Sequence, residues 1–522
     1  MRLERILRLR YIEPSNRPPP AKKRRGAGHS PSPRSDSSAM VFNSFAFICA
    51  FLPLGLAGFA LLAGKRRSWA LAWLLLLSLV FYGLWDWRFL PLLLLSITIN
   101  YGLSQAIAGA SGPRRRWLLV VAIVFDLGLL GFFKYTNFFL SSLAASTGLD
   151  LPLLAILLPI GISFFTFTQI AFVVDTYQHR ANMPTLAHYL LFASYFPYIV
   201  AGPILHHGEF LEQLSGKDSL RPRLNDLTIG LSLFIFGLAK KLLLADNLAA
   251  AFTPLFHQDN PQFLHAWLGM FAYTLQLYFD FSGYTDMAVG VSRMFGLQLP
   301  INFNSPYKAL NVSDFWQRWH ISLSRFLRNY LYIPLGGNRC GQFNRYRNLL
   351  LTMLLGGLWH GANWTFVVWG GLHGLYLCIQ HGWQHWVGGR RQGRSPIPPW
   401  LGQVITFVAV LVAWCFFRAP DTAAALRVLA GMAGANGVAA VATIDGSAYA
   451  LLAAAALVAF ALPNSGELLL FAEKRYREHR PAPSLPAPGW APNRRWGMAL
   501  GVLFALALLS LEKSADFIYA QF

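Results

Sequence analysis

The sequence predicts an all-α, polytopic transmembrane bundle. Three observations carry that prediction. Of 522 residues, 55% are hydrophobic and only 13% are charged, whereas an average soluble domain carries about 25% charged residues. The apolar residues gather in runs of about 20, the length a membrane-spanning helix needs. The runs do not alternate in the short apolar–polar pattern of barrel strands. About 11 to 13 membrane segments are expected, some short enough to be re-entrant or half-helices.

Residues 1–39 differ from everything after them. They are rich in Arg, Pro and Ser, and their ten basic and three acidic residues give a net +7. Such a segment cannot bury a core and is expected to be a disordered basic extension. It holds no signal-peptide apolar region. Residues 40–522 are expected to form one membrane-embedded domain. The apolar runs lie near 42–64, 69–85, 88–109, 116–135, 151–174, 186–204, 227–245, 263–282, 348–359, 364–380, 401–417, 447–463 and 495–511.

The early loops orient the chain. Lys65, Arg66 and Arg67 follow the first run, and Arg114, Arg115 and Arg116 follow the third. The second and fourth loops are nearly free of Lys and Arg, so the basic loops are expected in the cytoplasm. Export of the basic tail 1–39 conflicts with the same rule, so translation is expected to start at Met40. The formal charge of +21 reads as such positive-inside loops rather than a nucleic-acid surface.

Residues 300–347 hold no convincing span. Within them Ser313–Tyr332 reads as an amphipathic helix capped by Ser313. Phe315, Trp319, Leu323 and Phe326 recur at helical spacing, and Arg318, Arg325 and Arg328 form a basic face. The helix is expected to lie at, or dip into, the cytoplasmic membrane surface. A turn-rich loop, residues 336–341, follows. Pro-, Gly- and Arg-rich linkers are expected at 387–400 and 476–494.

Several side chains could carry chemistry. His360 lies between two apolar runs, in Leu358-Trp-His-Gly-Ala-Asn-Trp364. Ionisable groups at membrane depth are costly and usually face a cavity or a functional path. Burial without a carboxylate favours a neutral imidazole, which can act as a general base. A lone histidine is more often a satisfied packing residue, but here Gly361 permits close approach and Asn363 could orient a ligand. His320 sits beside Trp319 on the proposed amphipathic helix and could meet His360 if that helix dips inward. His373 follows His360 by 13 residues, which favours helix packing for it.

Asp280, Ser282 and Asp286 lie in or beside an apolar run. They are expected mainly to cap the following helix or pair with Arg or His on another helix, and otherwise to line a substrate path. Asp175 ends the fifth run. Gly202 and Pro203 suggest a broken helix in Tyr198–Ile204, with backbone facing a cavity. Cys49, Cys340, Cys378 and Cys415 form no metal or disulfide spacing. His381 and His385 are four apart but show no third ligand, so no metal site is expected. There is no Gly-x-Ser-x-Gly elbow, Walker A loop or HExxH signature.

Seven segments together resemble the membrane-bound O-acyltransferase (MBOAT) family, and within it the bacterial AlgI-like alginate O-acetyltransferases. They are residues 40–44, 159–165, 196–203, 279–286 (Phe-Asp-Phe-Ser-Gly-Tyr-Thr-Asp), 314–324, 332–338 and 358–364. The resemblance implies a ring of tilted helices around a central tunnel. It places the family's active-site histidine on His360 and its second histidine on His320. The residues expected near substrate are Asn363, Trp359, Trp319 and Asp286.

The resemblance also implies an enzyme of the cell inner membrane that O-acetylates an exported polysaccharide such as alginate. The acyl donor would come from the cytoplasm, most simply acetyl-CoA, with no bound cofactor. Periplasmic acetyltransferase proteins would be its partners, in a lipid bilayer and without nucleic acid. Transfer of D-alanine or another acyl group to a cell-wall polymer is the alternative. A transporter is a weaker one, because no inverted repeat is visible.

Overall fold

The computed structural model describes residues 40–216, 220–221, 223–256, 258–339, 341–391, 397–438, 441, 444–470, 490–513 and 517–518. The basic extension 1–39, Cys340, residues 392–396 of the first expected linker and residues 476–489 of the second lie outside these residues; residues 387–391 of the first linker are instead the last of helix Trp364–Arg391. Every regular element among the described residues is a helix.

In chain order the helices are α1 (Leu52–Ala63), α2 (Arg67–Asp86), α3 (Leu90–Gly109), α4 (Gly112–Leu130), α5 (Thr136–Thr147), α6 (Ile162–Tyr177) and α7 (Leu186–Ser194). Next come α8 (His207–Ser215), α9 (Leu224–Ala239), α10 (Asp246–Phe256), α11 (Phe263–Met294), α12 (Val312–Arg318) and α13 (Ile321–Leu327). The chain continues through α14 (Gln342–His360), α15 (Trp364–Arg391), α16 (Pro399–Arg418), α17 (Thr422–Met432), α18 (Gly446–Phe460) and α19 (Arg494–Leu509).

Among the described residues four helical runs are long and apolar enough to cross a membrane: Arg67–Gly109, Gly112–Thr147, Leu224–Phe256 and Pro399–Arg418. Phe47–Ala63, Ile162–Tyr177, Thr422–Met432 and Gly446–Phe460 are shorter apolar helices. The expected runs 69–85 and 88–109 fall in α2, which ends on extended Asp86 (φ −157°, ψ 103°), and in α3, separated from it only by the short turn Trp87–Phe89. The expected run 151–174 is helical only from Ile162. Pro152 and Pro159 bracket the earlier part, and a proline disfavours the α conformation in the residue before it.

Helices α9 and α11 cross with their backbones in contact. A Cβ added at Gly230 or Gly237 would fall 2.5 Å from the carbonyl oxygen of Gly290 or Gly283, respectively. The two pairs sit seven residues apart on each helix, and small residues so placed let membrane helices approach closely. The same interface holds buried charge. Lys241 pairs with Asp280 at 2.7 Å and Asp246 at 2.8 Å. Lys240 pairs with Asp286 at 2.6 Å. Both carboxylates are thus charge-paired, but with lysines rather than the expected Arg or His.

One end of the bundle is basic. Arg67 donates to the Ser215 carbonyl, and Arg115 donates to the Thr176 carbonyl and meets His179. The loops around 65, 115, 179 and 216 therefore share that end. At the same end Asp175 meets His207 at 3.1 Å and accepts from the Tyr330 hydroxyl at 2.5 Å.

Candidate active site

His360 is the last residue of α14. Gly361 is extended, with φ −162° and ψ 148°, so the helix stops there. Asn363 then starts α15. Its side-chain oxygen accepts from the Thr365 N–H at 3.0 Å, and its amide donates to the Pro420 carbonyl at 2.8 Å. Both ends of this amide are thus engaged in fixing the α14–α15 turn. A Cβ on Gly361 would collide with the Phe366 ring at 2.1 Å, so glycine is needed for the tight return.

Helix α14 is 19 residues long, a rise of about 28 Å. It starts beside Arg345 and Arg347 and carries His360 to the far end. There the imidazole is buried, with 3% of the residue exposed. Rings surround it: Trp359 and Trp369 at 5.0 Å between centroids, and Phe417 at 5.4 Å.

The expected amphipathic helix is corrected by the structure. It is not one surface helix but two short ones, α12 and α13, broken at His320. Its cap is Asn311, whose side chain accepts from the Asp314 N–H at 2.9 Å, not Ser313. The apolar face seen in the sequence is the reason it leaves the surface: Phe315, Trp319, Leu323 and Phe326 are all buried.

At the break His320 has φ 42° and ψ 55°. The left-handed region is uncommon for a residue with a Cβ, though histidine is among the enriched types. Neighbouring bonds hold it there. Ile321 N–H donates to the Asn302 carbonyl at 3.1 Å, Asn304 N–H donates to the Arg318 carbonyl at 3.0 Å, and the Ser322 hydroxyl donates to Oδ1 of Asn302 at 2.7 Å. Strain kept by such surroundings is a mark of functional positions. The break turns His320 inward, fully buried against Phe281 at 4.8 Å. Its ring centroid lies 6.4 Å from that of His360. The two histidines, 40 residues apart in sequence, therefore meet in one buried region.

His373 stands behind this pair. Its Nδ1 accepts from the Trp316 indole N–H at 3.3 Å, and its ring packs on Trp369 at 4.9 Å. Trp359 stacks on Phe167, and Trp319 packs on Trp414 at 5.0 Å. Trp359 is in direct contact with His360, whereas Trp319 belongs to the wall behind Trp369. Asp286 is held by Lys240 and accepts from the Ser465 hydroxyl at 2.6 Å, so it serves the α9–α11 interface. Among the described residues no group of three or more His, Cys, Asp or Glu side chains is placed to hold a metal.

Sequence reasoning missed Lys134 and Tyr135, which reach the end of α14 from the turn that extends α4. The Lys134 ammonium donates to the Trp359 carbonyl at 2.6 Å, and Tyr135 donates to the Leu358 carbonyl at 2.8 Å. The signal was a lysine inside an apolar run. The broken helix expected at Tyr198–Ile204 is present: turns follow α7, and Ile204 N–H donates to the Ser322 hydroxyl at 2.9 Å. This break packs directly on α13. The apolar groove between α15 and α16, lined by Leu310, Tyr376, Trp383 and Ile405 among others, includes neither His360 nor His320.

A buried histidine pair between aromatic walls suits acyl transfer assisted by a base. Comparison with known proteins agrees. The family model described as MBOAT, membrane-bound O-acyltransferase family, matches residues 158–418, which include both histidines. A Helicobacter pylori protein named peptidoglycan O-acetyltransferase is 43% identical over 76% of this chain and 81% of its own length. A Pseudomonas aeruginosa protein named probable alginate O-acetylase AlgI is 43% identical over 75% of each chain. A Streptococcus thermophilus teichoic acid D-alanyltransferase is 30% identical over 49% of this chain and 68% of its own length. The chain belongs to the membrane-bound O-acyltransferase family and is an acyltransferase embedded in a membrane.

Proposed function

We propose that this enzyme moves an acetyl group from cytoplasmic acetyl-CoA to hydroxyl groups destined for an exported polysaccharide, across the cell inner membrane. The observation that carries this reading is the convergence of His360 and His320 in one buried, aromatic-walled space. The donor would approach from the basic end of the bundle, where Arg side chains suit its phosphates. A passage through the ring of helices would bring the thioester to His360. The imidazole would take the proton of an acceptor hydroxyl as its oxygen attacks the thioester carbonyl. The new C–O bond forms, the C–S bond breaks, and the proton passes from His360 to the departing thiolate. His320 would position or polarise one reactant. Asn363, Trp359, Trp319 and Asp286 keep the surrounding walls and frame in register. Periplasmic acetyltransferase partners would complete delivery to the polymer.

The relatives named for alginate and for peptidoglycan support O-acetylation of a glycan. Alginate is the first polymer to test, and peptidoglycan the second. The D-alanyltransferase similarity keeps a D-alanyl donor as the alternative reading. The test is His360→Ala in the native host, with membrane abundance checked by immunoblot. Ester-linked acetate on alginate and on peptidoglycan should fall to background at unchanged abundance. Undiminished acetylation would refute the role of His360. Loss of ester-linked D-alanine with acetate intact would select the alternative.

A further inference from the structure

We infer that Lys134 is a positioning residue for catalysis, acting through the backbone of α14 on His360; the inference rests on His360 being the base. A helix leaves its last four carbonyls without internal partners. At the end of α14 those carbonyls belong to the catalytic segment itself. They are met by two consecutive side chains from one π-helical turn, Gly131–Tyr135. Tyr135 donates to the carbonyl of Leu358 at 2.8 Å. Lys134 donates to those of Trp359 at 2.6 Å and His360 at 3.4 Å, and to the Ser163 hydroxyl at 3.2 Å. Three successive carbonyls, 358 to 360, are thereby tied to a neighbouring helix.

The choice of lysine is informative. Many helices end on a left-handed glycine that closes the last carbonyls without any charge. Here Gly361 is extended and does not. The chain instead places an ammonium inside an apolar run, where ionisable groups are costly. Among the described residues Lys134 pairs with no carboxylate; its contacts are those carbonyls, the Ser163 hydroxyl and the face of Trp359, 5.8 Å from the ring centroid. The positive charge suits the negative end of the α14 dipole. The wider π turn allows adjacent side chains of one helix to reach the same target, and such turns recur at functional sites. Because His360 is the terminal helical residue, its Cα–Cβ direction is set by the peptide units that Lys134 and Tyr135 hold.

The test compares Lys134→Met, Lys134→Gln and Lys134→Arg with His360→Ala and wild type. Each is purified as the full chain in detergent. Turnover is followed as CoA release from acetyl-CoA in the presence of de-O-acetylated polysaccharide from the host. Lys134→Met should lower kcat about 100-fold, as a misplaced catalytic group does, with KM for acetyl-CoA within about twofold. Lys134→Arg and Lys134→Gln keep N–H donors and should recover about a tenth or more of wild-type kcat. Membrane yield and melting of the Gln and Arg variants report on folding. If Lys134→Met does not accumulate, the Gln variant carries the test. A Gln variant that folds normally but turns over no faster than His360→Ala, beside an equally inactive Arg variant, would overturn backbone positioning. So would Lys134→Met at wild-type kcat while His360→Ala is inactive. An active His360→Ala would instead remove the base assignment on which the inference stands.

Discussion

Replacing Gly357 with alanine sets two effects of opposite sign against each other. Gly357 lies in α14, three residues before His360. Alanine is favoured over glycine in a helix by about 1 kcal/mol, so propensity alone predicts stabilisation. The packing predicts the reverse. An added Cβ would lie 2.2 Å from the Phe366 carbonyl oxygen and 3.0 Å from the Gly370 Cα. Both are backbone atoms of α15, which no side-chain rotation can move. Carbon–oxygen contacts settle near 3.3 Å, so the helices must part by about 1 Å. Overpacking of this kind costs about 1–3 kcal/mol, which outweighs the propensity gain. It also displaces His360 from the space it shares with His320, and a 1 Å misplacement costs about 100-fold in rate. The assay is thermal unfolding in detergent, followed by retention on size exclusion, with acetyl-CoA turnover on the same preparation. Gly371→Ala is the control. Its nearest new neighbour is a Leu354 methyl at 3.4 Å, so it should melt at or slightly above wild type and keep its turnover. A Gly357→Ala protein that matches wild type in both measurements would refute the close-packing argument.

His320→Ala should lower turnover about 10- to 100-fold at unchanged membrane yield; a folded His320→Ala enzyme at wild-type rate would remove His320 from the site. His373→Ala leaves the Trp316 indole without its acceptor, at about 1–3 kcal/mol, so its melting temperature should fall while the folded fraction keeps turning over. The opposite pattern, stable but inactive, would make His373 the working partner. Lys241→Met leaves Asp280 and Asp246 buried without their ammonium, and breaking such a pair costs about 3–5 kcal/mol. Membrane yield should drop sharply, and more than for Asp286→Asn in the partly exposed Lys240 pair; equal yields would show that the ammonium is not holding α9 to α11.

The hairpin bearing His360 was legible because it combines two signals. An apolar run stops at a histidine, and Gly361 with Asn363 marks the return. The approach of His320 was only half legible. Its helix has an aromatic stripe strong enough to bury, but nothing local predicts a left-handed histidine. That conformation is imposed by Asn302 and Asn304, which reach the break from a segment before α12. Residues 151–161 were read as membrane span from hydropathy alone, although Pro152, Pro159 and Gly161 argue locally against a helix there. The partners of Asp280 and Asp286 were present in the sequence as Lys240 and Lys241, two charges inside an apolar run. Only tertiary contact pairs them. The glycines at 230 and 237, and at 283 and 290, were likewise visible as seven-residue spacings, but neither spacing alone says that the helices face each other.

Three of the missed groups share a device. Lys134 and Tyr135 lie in the π-helical turn Gly131–Tyr135, Lys240 and Lys241 in Lys240–Ala245, and Tyr330 in Arg328–Tyr332. Each turn directs a polar side chain into the bundle from a largely apolar stretch: to the carbonyls of α14, to Asp280 and Asp286, and to Asp175. A π turn changes the face on which later residues project without ending the helix. It therefore lets an apolar rod deliver one charge inward while keeping its hydrocarbon face in register. The π turn Phe47–Phe51 has no polar cargo and stacks rings instead, so the geometry permits this use without requiring it. The consequence for the site is a separation of roles. Asp280 and Asp286 are paired with lysines where α9 meets α11, Asp314 is paired with Arg318 on α12, and His360 is walled by Trp359, Trp369 and Phe417. On the proposed reading of His360 as the base, such apolar walls would strengthen hydrogen bonds to a thioester oxygen and hold back wasteful hydrolysis of the donor.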